Sequence, residues 1–287
     1  MFAIDRQDSQ YQTYILSDSS ADSRLEIVPE RGGIATRWQA SGRPMLYFDA
    51  DRFANPELSV RGGIPILFPI CGNLPDNTYT DGDKTYTLKQ HGFARDLPWT
   101  VAESTTDNCA SLTLTLESND LTRAVYPFDF RLAFTYRLKG NTLEIIQRHF
   151  NLDDRIMPFS TGLHPYFLVS DKTQLQFDIP SDRYWDQKNN VARTFDGRFD
   201  LDLDEIDVAF ASLTRESATV KDGDRQTSLT IEYNSLYSRL VFWTLKGKDY
   251  YCLEPWSGPR NAINTADSLI QLHPNSSLTT LVRFVVH

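Results

Sequence analysis

The sequence predicts an all-β protein, a large antiparallel β-sandwich that forms one domain over residues 1–287. Apolar and polar residues alternate with a period of two along much of the chain, whereas helical periodicity is scarce. The alternating runs recur at short intervals with Gly, Asn and Asp turns between them, as in β-sandwiches. Neither a proline-rich linker nor a repeat nor a break in composition divides the chain, so we expect a single domain.

The predicted strands follow this alternation from the N-terminus to the C-terminus. The clearest signal is a hairpin, in which Gly140-Asn141 joins the alternating runs 130–138 and 142–150. Short helical turns are expected at 119–125 and 264–272, and the Asp- and Arg-rich segment 180–212 is expected to be mostly a solvated loop. The other predicted strands are 11–17, 25–29, 34–39, 45–49, 85–88, 112–116, 166–169, 175–179, 228–233, 239–245, 250–254 and 278–287.

Composition excludes several classes of function. Apolar residues make up 40% of the chain and aromatic residues 12%, which is enough for a sizeable core. The net charge of −9, without any long run of Lys or Arg, argues against a nucleic-acid partner. No apolar run approaches the roughly 18 residues of a membrane span. The polar start and three cysteines without metal-binding spacing predict a cytoplasmic protein.

The segment from Arg61 to Trp99 has the features of a binding-site rim. It begins with Arg-Gly-Gly-Ile-Pro at 61–65 and contains His-Gly-Phe-Ala-Arg at 91–95. Each run places charged or titratable side chains beside glycine, where a backbone can approach a ligand closely. Arg61, His91 and Arg95 are therefore candidate ligand-binding residues.

Glu254 and Trp256 are a second candidate pair, at the end of the run Tyr-Tyr-Cys-Leu-Glu-Pro-Trp. A glutamate that ends an apolar strand is unusual, because Glu is rarely buried without a partner. Residues two apart share one face of a strand, so Glu254 and Trp256 are expected to point the same way. A carboxylate beside an aromatic ring suits a sugar, which offers hydroxyl donors and an apolar C–H face.

His164 and Asp207 are weaker candidates when taken alone. An isolated histidine is more often structural or exposed than catalytic, and an acid in an acid-rich loop is usually solvated. His91, His164 and Glu254 could suggest a metal site, but they lie on separate predicted strands without a close-spaced pair. A metal site is therefore a weak interpretation of these residues. No Gly-x-Ser-x-Gly elbow indicates a serine nucleophile.

Together these motifs resemble the aldose 1-epimerase (mutarotase) family, and most closely its glucose-6-phosphate 1-epimerase-like branch. The resemblance implies the galactose mutarotase-like supersandwich, with a sugar in a cleft on one sheet. It implies that Glu254 is the general base and His164 the general acid, and that Arg61, His91 and Asp207 bind the sugar, with Arg95 a further candidate near the ligand. The matching runs are Arg61–Pro65, Phe68-Pro69, His91–Arg95, Leu163–Phe167, Asp207 with Phe210, Glu254–Trp256 and Arg260–Ala262, with Asp204 or Glu205 as alternatives to Asp207.

The resemblance implies mutarotation of a hexose or hexose 6-phosphate that needs neither a cofactor nor a metal, and we expect a monomer or weak homodimer. A base removes the C1 hydroxyl proton while an acid protonates the ring oxygen, and the open aldehyde closes on its other face. A protonated His164 would need a carboxylate nearby, and Asp207 is a candidate. The alternatives are a non-catalytic carbohydrate-binding or regulatory domain on the same scaffold, and a hydrolase in which an acid at 204–207 opposes Glu254.

Overall fold

A computed structural model describes residues 1–287 as a molecule built almost entirely of antiparallel strands. Its α-helices are short: α1 Ala50–Ala54, α2 Asp120–Val125 and α3 Ala262–Thr265, and 3₁₀ turns lie at Pro75–Asn77 and Lys172–Gln174. The strands are β1 Phe2–Gln7, β2 Thr13–Asp18, β3 Ser23–Val28, β4 Ile34–Ala40, β5 Arg43–Pro44, β6 Ile66–Leu67, β7 Thr78–Asp81, β8 Lys84–Thr87, β9 Thr100–Thr105, β10 Ala110–Glu117, β11 Phe130–Lys139, β12 Thr142–Asn151, β13 Met157–Phe159, β14 Gly162–Leu163, β15 Tyr166–Leu168, β16 Leu175–Asp178, β17 Arg183–Asp186, β18 Val191–Thr194, β19 Glu205–Phe210, β20 Ser217–Asp222, β21 Thr227–Tyr233, β22 Arg239–Leu245, β23 Tyr250–Trp256, β24 Ile270–Leu272 and β25 Ser277–Val286.

Two large sheets form the sandwich. The site sheet has the order β18-β17-β19-β22-β23-β14-β6, with β15 also paired to β23. The opposite sheet has the order β16-β20-β21-β25-β12-β11-β10-β9. A five-stranded sheet, β1 to β5 in sequence order, and the pairs β7-β8 and β13-β24 complete the structure. The all-β sandwich predicted from the alternation is therefore confirmed.

The hairpin of β11 and β12 shows how the alternation produces the core. Phe130 pairs with Asn151 at one end and Lys139 with Thr142 at the other, around the predicted Gly140-Asn141 turn. Every second residue of β11 is buried, because successive side chains of a strand point to opposite faces. One cluster of 55 buried apolar residues includes members of the two large sheets and of the five-stranded sheet. On this ground we propose that residues 1–287 form one domain.

Segment 180–212 differs from the predicted loop, since it contains β17, β18 and β19. In β19 the residues Ile206, Val208 and Phe210 are buried and alternate with half-buried ones, so this is a half-buried strand whose polar positions are acidic. The other two strands are short and lie at the edge of the site sheet, where their charged side chains remain solvated. Their charge made the segment look like a loop.

Two further predictions need correction. Residues 45–49 form no regular strand: Leu46 and Phe48 make isolated bridges, the first to Phe167 and the second to Gly62. The expected helical turn at 264–272 is replaced by α3 and then β24, which pairs with β13. The helical turn at 119–125 is confirmed as α2, whereas the alternation did not predict strands β1, β5, β6, β7, β9, β13, β14 and β20. None of the α-helices has the length and hydropathy needed to cross a bilayer.

Phe68 fixes the segment that contains His91 to the core. Its side chain is fully buried, and its ring lies 5.1 Å from that of Phe130, on the opposite sheet, and 5.4 Å from that of Phe159. The Phe68 carbonyl also accepts hydrogen bonds from the backbone N–H groups of Phe93 and Ala94. Because Phe68 directly follows β6 of the site sheet, it joins the segment that contains His91 to both large sheets.

We predict that Phe68→Ala lowers the free energy of unfolding by about 3–5 kcal/mol, the usual cost of emptying a buried aromatic position. Denaturant unfolding measures this change. Leu121→Ala is the control, since Leu121 is 75% exposed and its truncation should cost no more than about 0.5 kcal/mol. Equal losses in the two variants would contradict the role assigned to Phe68.

Candidate active site

A polar cavity of about 240 Å³ lies against the site sheet, on the face turned away from the main core. Its volume is just below the roughly 300–1,000 Å³ of drug-sized ligand sites, so it suits a small ligand. The lining residues are Ser59, Val60, Arg61, Gln90, His91, Arg95, His164, Tyr166, Glu205, Asp207, Val241, Trp243, Glu254, Trp256 and Arg260.

All seven residues singled out from the sequence line this one cavity. Four separate parts of the chain contribute them, from position 61 to position 256, and antiparallel pairing of short strands brings these parts together. Their individual roles remain predictions. The residues are Arg61, His91, Arg95, His164, Asp207, Glu254 and Trp256.

Glu254 lies at the floor of the cavity. It is on β23, a strand that is covered on both faces because all of its residues are buried. Leu253 belongs to the main core, so the alternation turns Glu254 and Trp256 to the other face, as predicted. Glu254 is only 1% exposed. The Trp256 indole Nε1–H donates a hydrogen bond of 3.0 Å to Glu254 Oε2, which leaves Oε1 available to other partners.

His164 supplies the partner for Oε1. It lies between β14 and β15, and its ring stacks on that of Tyr166 with centroids 4.8 Å apart and planes 12° apart. His164 Nε2 is 3.4 Å from Glu254 Oε1. The two candidate proton-transfer groups are therefore in direct contact, and the side chains of both are at least nine-tenths buried.

Burial opposes charge on both members of this pair. It raises the pKa of Glu254 well above its ordinary value, and the negative charge of Asp207 acts in the same direction. Burial lowers the pKa of His164 to about 3, and the positive charge of Arg95 acts in the same direction. Burial therefore favours the uncharged form of both groups, in which Glu254 carries the proton of the pair and the His164 ring is neutral.

The expectation that Asp207 raises the pKa of His164 is wrong. Asp207 is bound by Arg260, whose Nη2 donates to its two carboxylate oxygens at 3.0 and 2.8 Å. The carboxylate beside His164 is that of Glu254, and the charges that act most on His164 are cationic. A protonated His164 consequently requires transfer of the proton held by the Glu254–His164 pair rather than help from Asp207.

Gly72 holds both the backbone and the ring of His91. The backbone N–H of His91 donates to the Gly72 carbonyl at 2.7 Å, and the Gly72 N–H donates to His91 Nδ1 at 3.1 Å. Since Nδ1 accepts, the proton of the neutral ring is on Nε2. Burial and the charge of Arg95 lower the pKa of His91, so the ring stays neutral and offers one N–H donor.

The backbone around His91 explains the glycine beside it. His91 has a φ of +67° and Gly92 a φ of +71°, a left-handed conformation that is costly for most residues. A Cβ on Gly92 would lie 2.2 Å from the Phe68 carbonyl oxygen. Position 92 therefore requires glycine, because a side chain there would prevent the His91 loop from packing against Phe68. This is the close backbone approach that the glycines beside titratable residues predict.

Arg61 and Arg95 are cations without a carboxylate partner. Neither takes part in a salt bridge, unlike Arg260, which pairs with Asp207. The Arg61 guanidinium lies 5.4 Å from the centre of the Trp243 ring. Arg95 Nη2 donates to the Gln90 carbonyl at 2.9 Å, and its buried Nε has no partner. Positive charge is thus available to a ligand.

Sequence reasoning missed Arg260 as a site residue, although its run contributed to the resemblance. Besides binding Asp207, it donates from Nη1 to Asn73 Oδ1 at 2.9 Å and lies over the Trp256 ring. The signal available in the sequence was an arginine four residues after Trp256, beyond a Ser-Gly-Pro turn.

Asp207 itself points into the cavity from β19, as does Glu205 two residues earlier, whereas Asp204 does not line it.

A possible metal-binding set differs from the one considered above. Ligand atoms of His164, Cys252 and Glu254 all lie within 4.8 Å of one another, and the three residues are buried. Cys252 was not a site candidate, since no feature of the sequence marked its thiol. It precedes Glu254 by two residues and therefore lies on the same face of β23.

Comparison with known proteins gives a consistent assignment. The family model described as aldose 1-epimerase matches residues 17–283. The crystal structure of the Slr1438 protein from Synechocystis sp. PCC 6803 is 48% identical and superposes with a TM-score of 0.95, over 100% of this chain and 99% of that one. A galactose mutarotase-like protein from Clostridium acetobutylicum, 21% identical, has a TM-score of 0.84 over 100% of this chain and 98% of that one, and shows the same fold.

A relative from Salmonella typhimurium carries the name "Putative glucose-6-phosphate 1-epimerase". It is 33% identical over 136 residues, which are 47% of this chain. The matched part spans 41% of that relative's length.

The proton shared by Glu254 and His164 gives a testable pH dependence. In the unfolded chain a glutamate ionises above about pH 4.3, whereas the folded pair keeps its proton, so rising pH favours unfolding of the wild type. Glu254→Gln removes this effect, while the lowered pKa of His164 contributes to both proteins. We predict that the variant becomes progressively more stable relative to the wild type as the pH rises above about 4.3, by at most about 1.4 kcal/mol per pH unit.

Denaturant unfolding at several pH values measures this difference. Glu117→Gln, at an exposed strand end, controls for the loss of a carboxylate remote from the cavity. A stability difference between Glu254→Gln and the wild type that does not change with pH would show that Glu254 ionises normally in the folded protein.

Proposed function

The chain belongs to the aldose 1-epimerase family, and we propose that it interconverts the α and β anomers of a hexose or hexose 6-phosphate. The observation that carries the proposal is the buried contact between Glu254 Oε1 and His164 Nε2, 3.4 Å apart at the floor of the cavity. Mutarotation requires one group that takes a proton and one that gives a proton. A pair that holds a single proton meets both requirements at once.

In the proposed reaction Glu254 takes the C1 hydroxyl proton while His164 gives a proton to the ring oxygen. His164 receives that proton from Glu254 across their contact, because the neutral pair and the ion pair contain the same number of protons. The C1–ring oxygen bond breaks, the open aldehyde rotates about C1–C2, and the reverse transfers close the ring on its other face. The pair returns to its starting proton count without a cofactor.

The groups around the pair suit the recognition of a sugar. The neutral His91 ring presents its Nε2–H as a donor, and Asp207, fixed by Arg260, presents carboxylate oxygens as acceptors for hydroxyl groups. The Trp256 ring, in contact with both His91 and Glu254, offers an apolar face. Fixed partners hold each of these groups before the sugar arrives, which limits the entropy lost on binding.

The phosphorylated substrate is favoured by the free cations. Arg61 and Arg95 line the cavity without a carboxylate partner, and guanidinium groups bind phosphate through paired hydrogen bonds. The name of the Salmonella typhimurium relative points the same way. A neutral hexose remains a candidate, because the same guanidinium groups can donate to hydroxyl oxygens.

Magnetisation-exchange NMR on the α and β anomers of glucose and of glucose 6-phosphate tests the activity and the substrate together. The protein should accelerate exchange of at least one of the two sugars. Acceleration restricted to glucose 6-phosphate would assign the phosphorylated substrate. Absence of acceleration for both, and for other aldohexoses, would reject the enzyme in favour of a carbohydrate-binding domain.

We predict that Glu254→Gln lowers kcat for anomer exchange by about 10²–10⁴-fold, the usual contribution of one positioned proton-transfer group. Sugar affinity should change little, because the amide keeps the shape of the side chain and can still accept from Trp256. Exchange NMR gives kcat and calorimetry gives affinity, with Glu117→Gln as the control. Wild-type exchange in Glu254→Gln would remove Glu254 from the mechanism.

A further inference from the structure

We propose that His164, Cys252 and Glu254 form a binding site for a thiophilic divalent cation such as Zn²⁺, and that the bound cation blocks the sugar site. The blocking part of this proposal rests on the proposed function, whereas the binding part does not. The cation would be an inhibitor, not a cofactor, because it occupies the two groups that exchange protons with the sugar.

The geometry that carries the proposal comes from strand pairing. Cys252 and Glu254 lie two residues apart on one face of β23, and Tyr166 pairs with Cys252, which brings His164 over the same face. The ligand atoms of the three residues lie within 4.8 Å of one another. Tetrahedral Zn²⁺, with bonds of about 2.0–2.3 Å, needs its ligand atoms roughly 3.5 Å apart. Small side-chain rotations would close the remaining gap.

The His164 ring provides a second, independent observation. Its Nδ1 is buried and has no hydrogen-bond partner, although buried polar atoms are nearly always paired. The only polar contact of its Nε2 is Glu254, which is itself a member of the set. Ligation by Nδ1 would give up no hydrogen bond, and ligation by Nε2 would replace only its contact with Glu254.

Charge balance allows a cation to bind among arginines. A divalent cation with the Cys252 thiolate, the Glu254 carboxylate and a neutral His164 ring has a net charge of zero, so Arg95 and Arg260 do not repel the complex as a whole. Burial and the negative charge of Glu254 raise the pKa of the Cys252 thiol, and Arg61 and Lys172 act in the opposite direction, so the cation itself must displace the thiol proton. On binding, the thiol proton and the proton of the Glu254–His164 pair leave to water through the cavity.

The position of the site explains how a cation could reach it. His164 and Glu254 line the cavity, while Cys252 lies just beneath its floor among Tyr166 and Tyr250. A cation that enters the cavity meets the imidazole and carboxylate first. Water in the cavity can fill a fourth coordination position, as in zinc sites that keep one position open.

Cobalt titration tests binding directly, since Co²⁺ bound to a thiolate gives a charge-transfer absorption that oxygen and nitrogen ligands do not. The wild-type protein should develop this band with one equivalent of Co²⁺, and Zn²⁺ should abolish it. Cys71→Ser is the matched control, because Cys71 is equally buried but outside the cluster. It should keep the band and the affinity.

Cys252→Ser and Cys252→Ala should lose the thiolate band and bind Zn²⁺ more than about 100-fold more weakly, a larger effect than loss of an outer-shell partner. A competing chromophoric chelator measures this affinity. Absence of the band in the wild type would overturn the proposal, even if the Cys252 variants fail to fold. Persistence of the band in a folded Cys252 variant would also overturn it.

Anomer exchange separates this proposal from the proposed function. Stoichiometric Zn²⁺ should suppress exchange by the wild type and by Cys71→Ser, and a chelator should restore it. The Cys252 variants should resist the same concentration of Zn²⁺. If no form of the protein catalyses exchange, the proposed function fails while the cobalt band still decides the metal site. Binding of Zn²⁺ without loss of exchange would refute the blocking role.

Discussion

The burial of a carboxylate against a histidine is the constraint on which this structure depends. Both faces of β23 are covered, so neither Glu254 nor His164 can take or lose a proton as it would in water. The two groups face each other across 3.4 Å, and a proton passed between them leaves the total number of protons on the pair unchanged. Such coupling suits a reaction in which one proton arrives as another leaves.

Most of the remaining site serves to hold this pair in place. Trp256 holds one oxygen of Glu254, and Tyr166 stacks beneath His164. Arg260 neutralises Asp207, whose negative charge would otherwise raise the pKa of Glu254 further. The positive charges left over, on Arg61 and Arg95, are the reason for proposing a phosphorylated sugar as the substrate.

Much of this arrangement could be read from the sequence, and the exceptions have physical causes. The sandwich followed from the alternation, and Glu254 stood out because an acid at the end of an apolar strand needs a partner. The partner itself could not be identified, because contact between residues 164 and 254 arises from strand order in the sheet. The protonation of His164 was misjudged for the same reason: burial and three surrounding arginines are properties of the folded chain. Segment 180–212 has the composition of a solvated loop, because the acidic residues at alternate positions of β19 outweigh its buried apolar ones in the sequence.

Neutron diffraction from crystals exchanged into heavy water at neutral pH tests the shared proton most directly. The account predicts two exchangeable deuterons over the two ring nitrogens of His164 and the carboxylate of Glu254, one more than a neutral imidazole beside a carboxylate would hold. A single deuteron, or three, would contradict it, because the pair could not then give one proton while taking another.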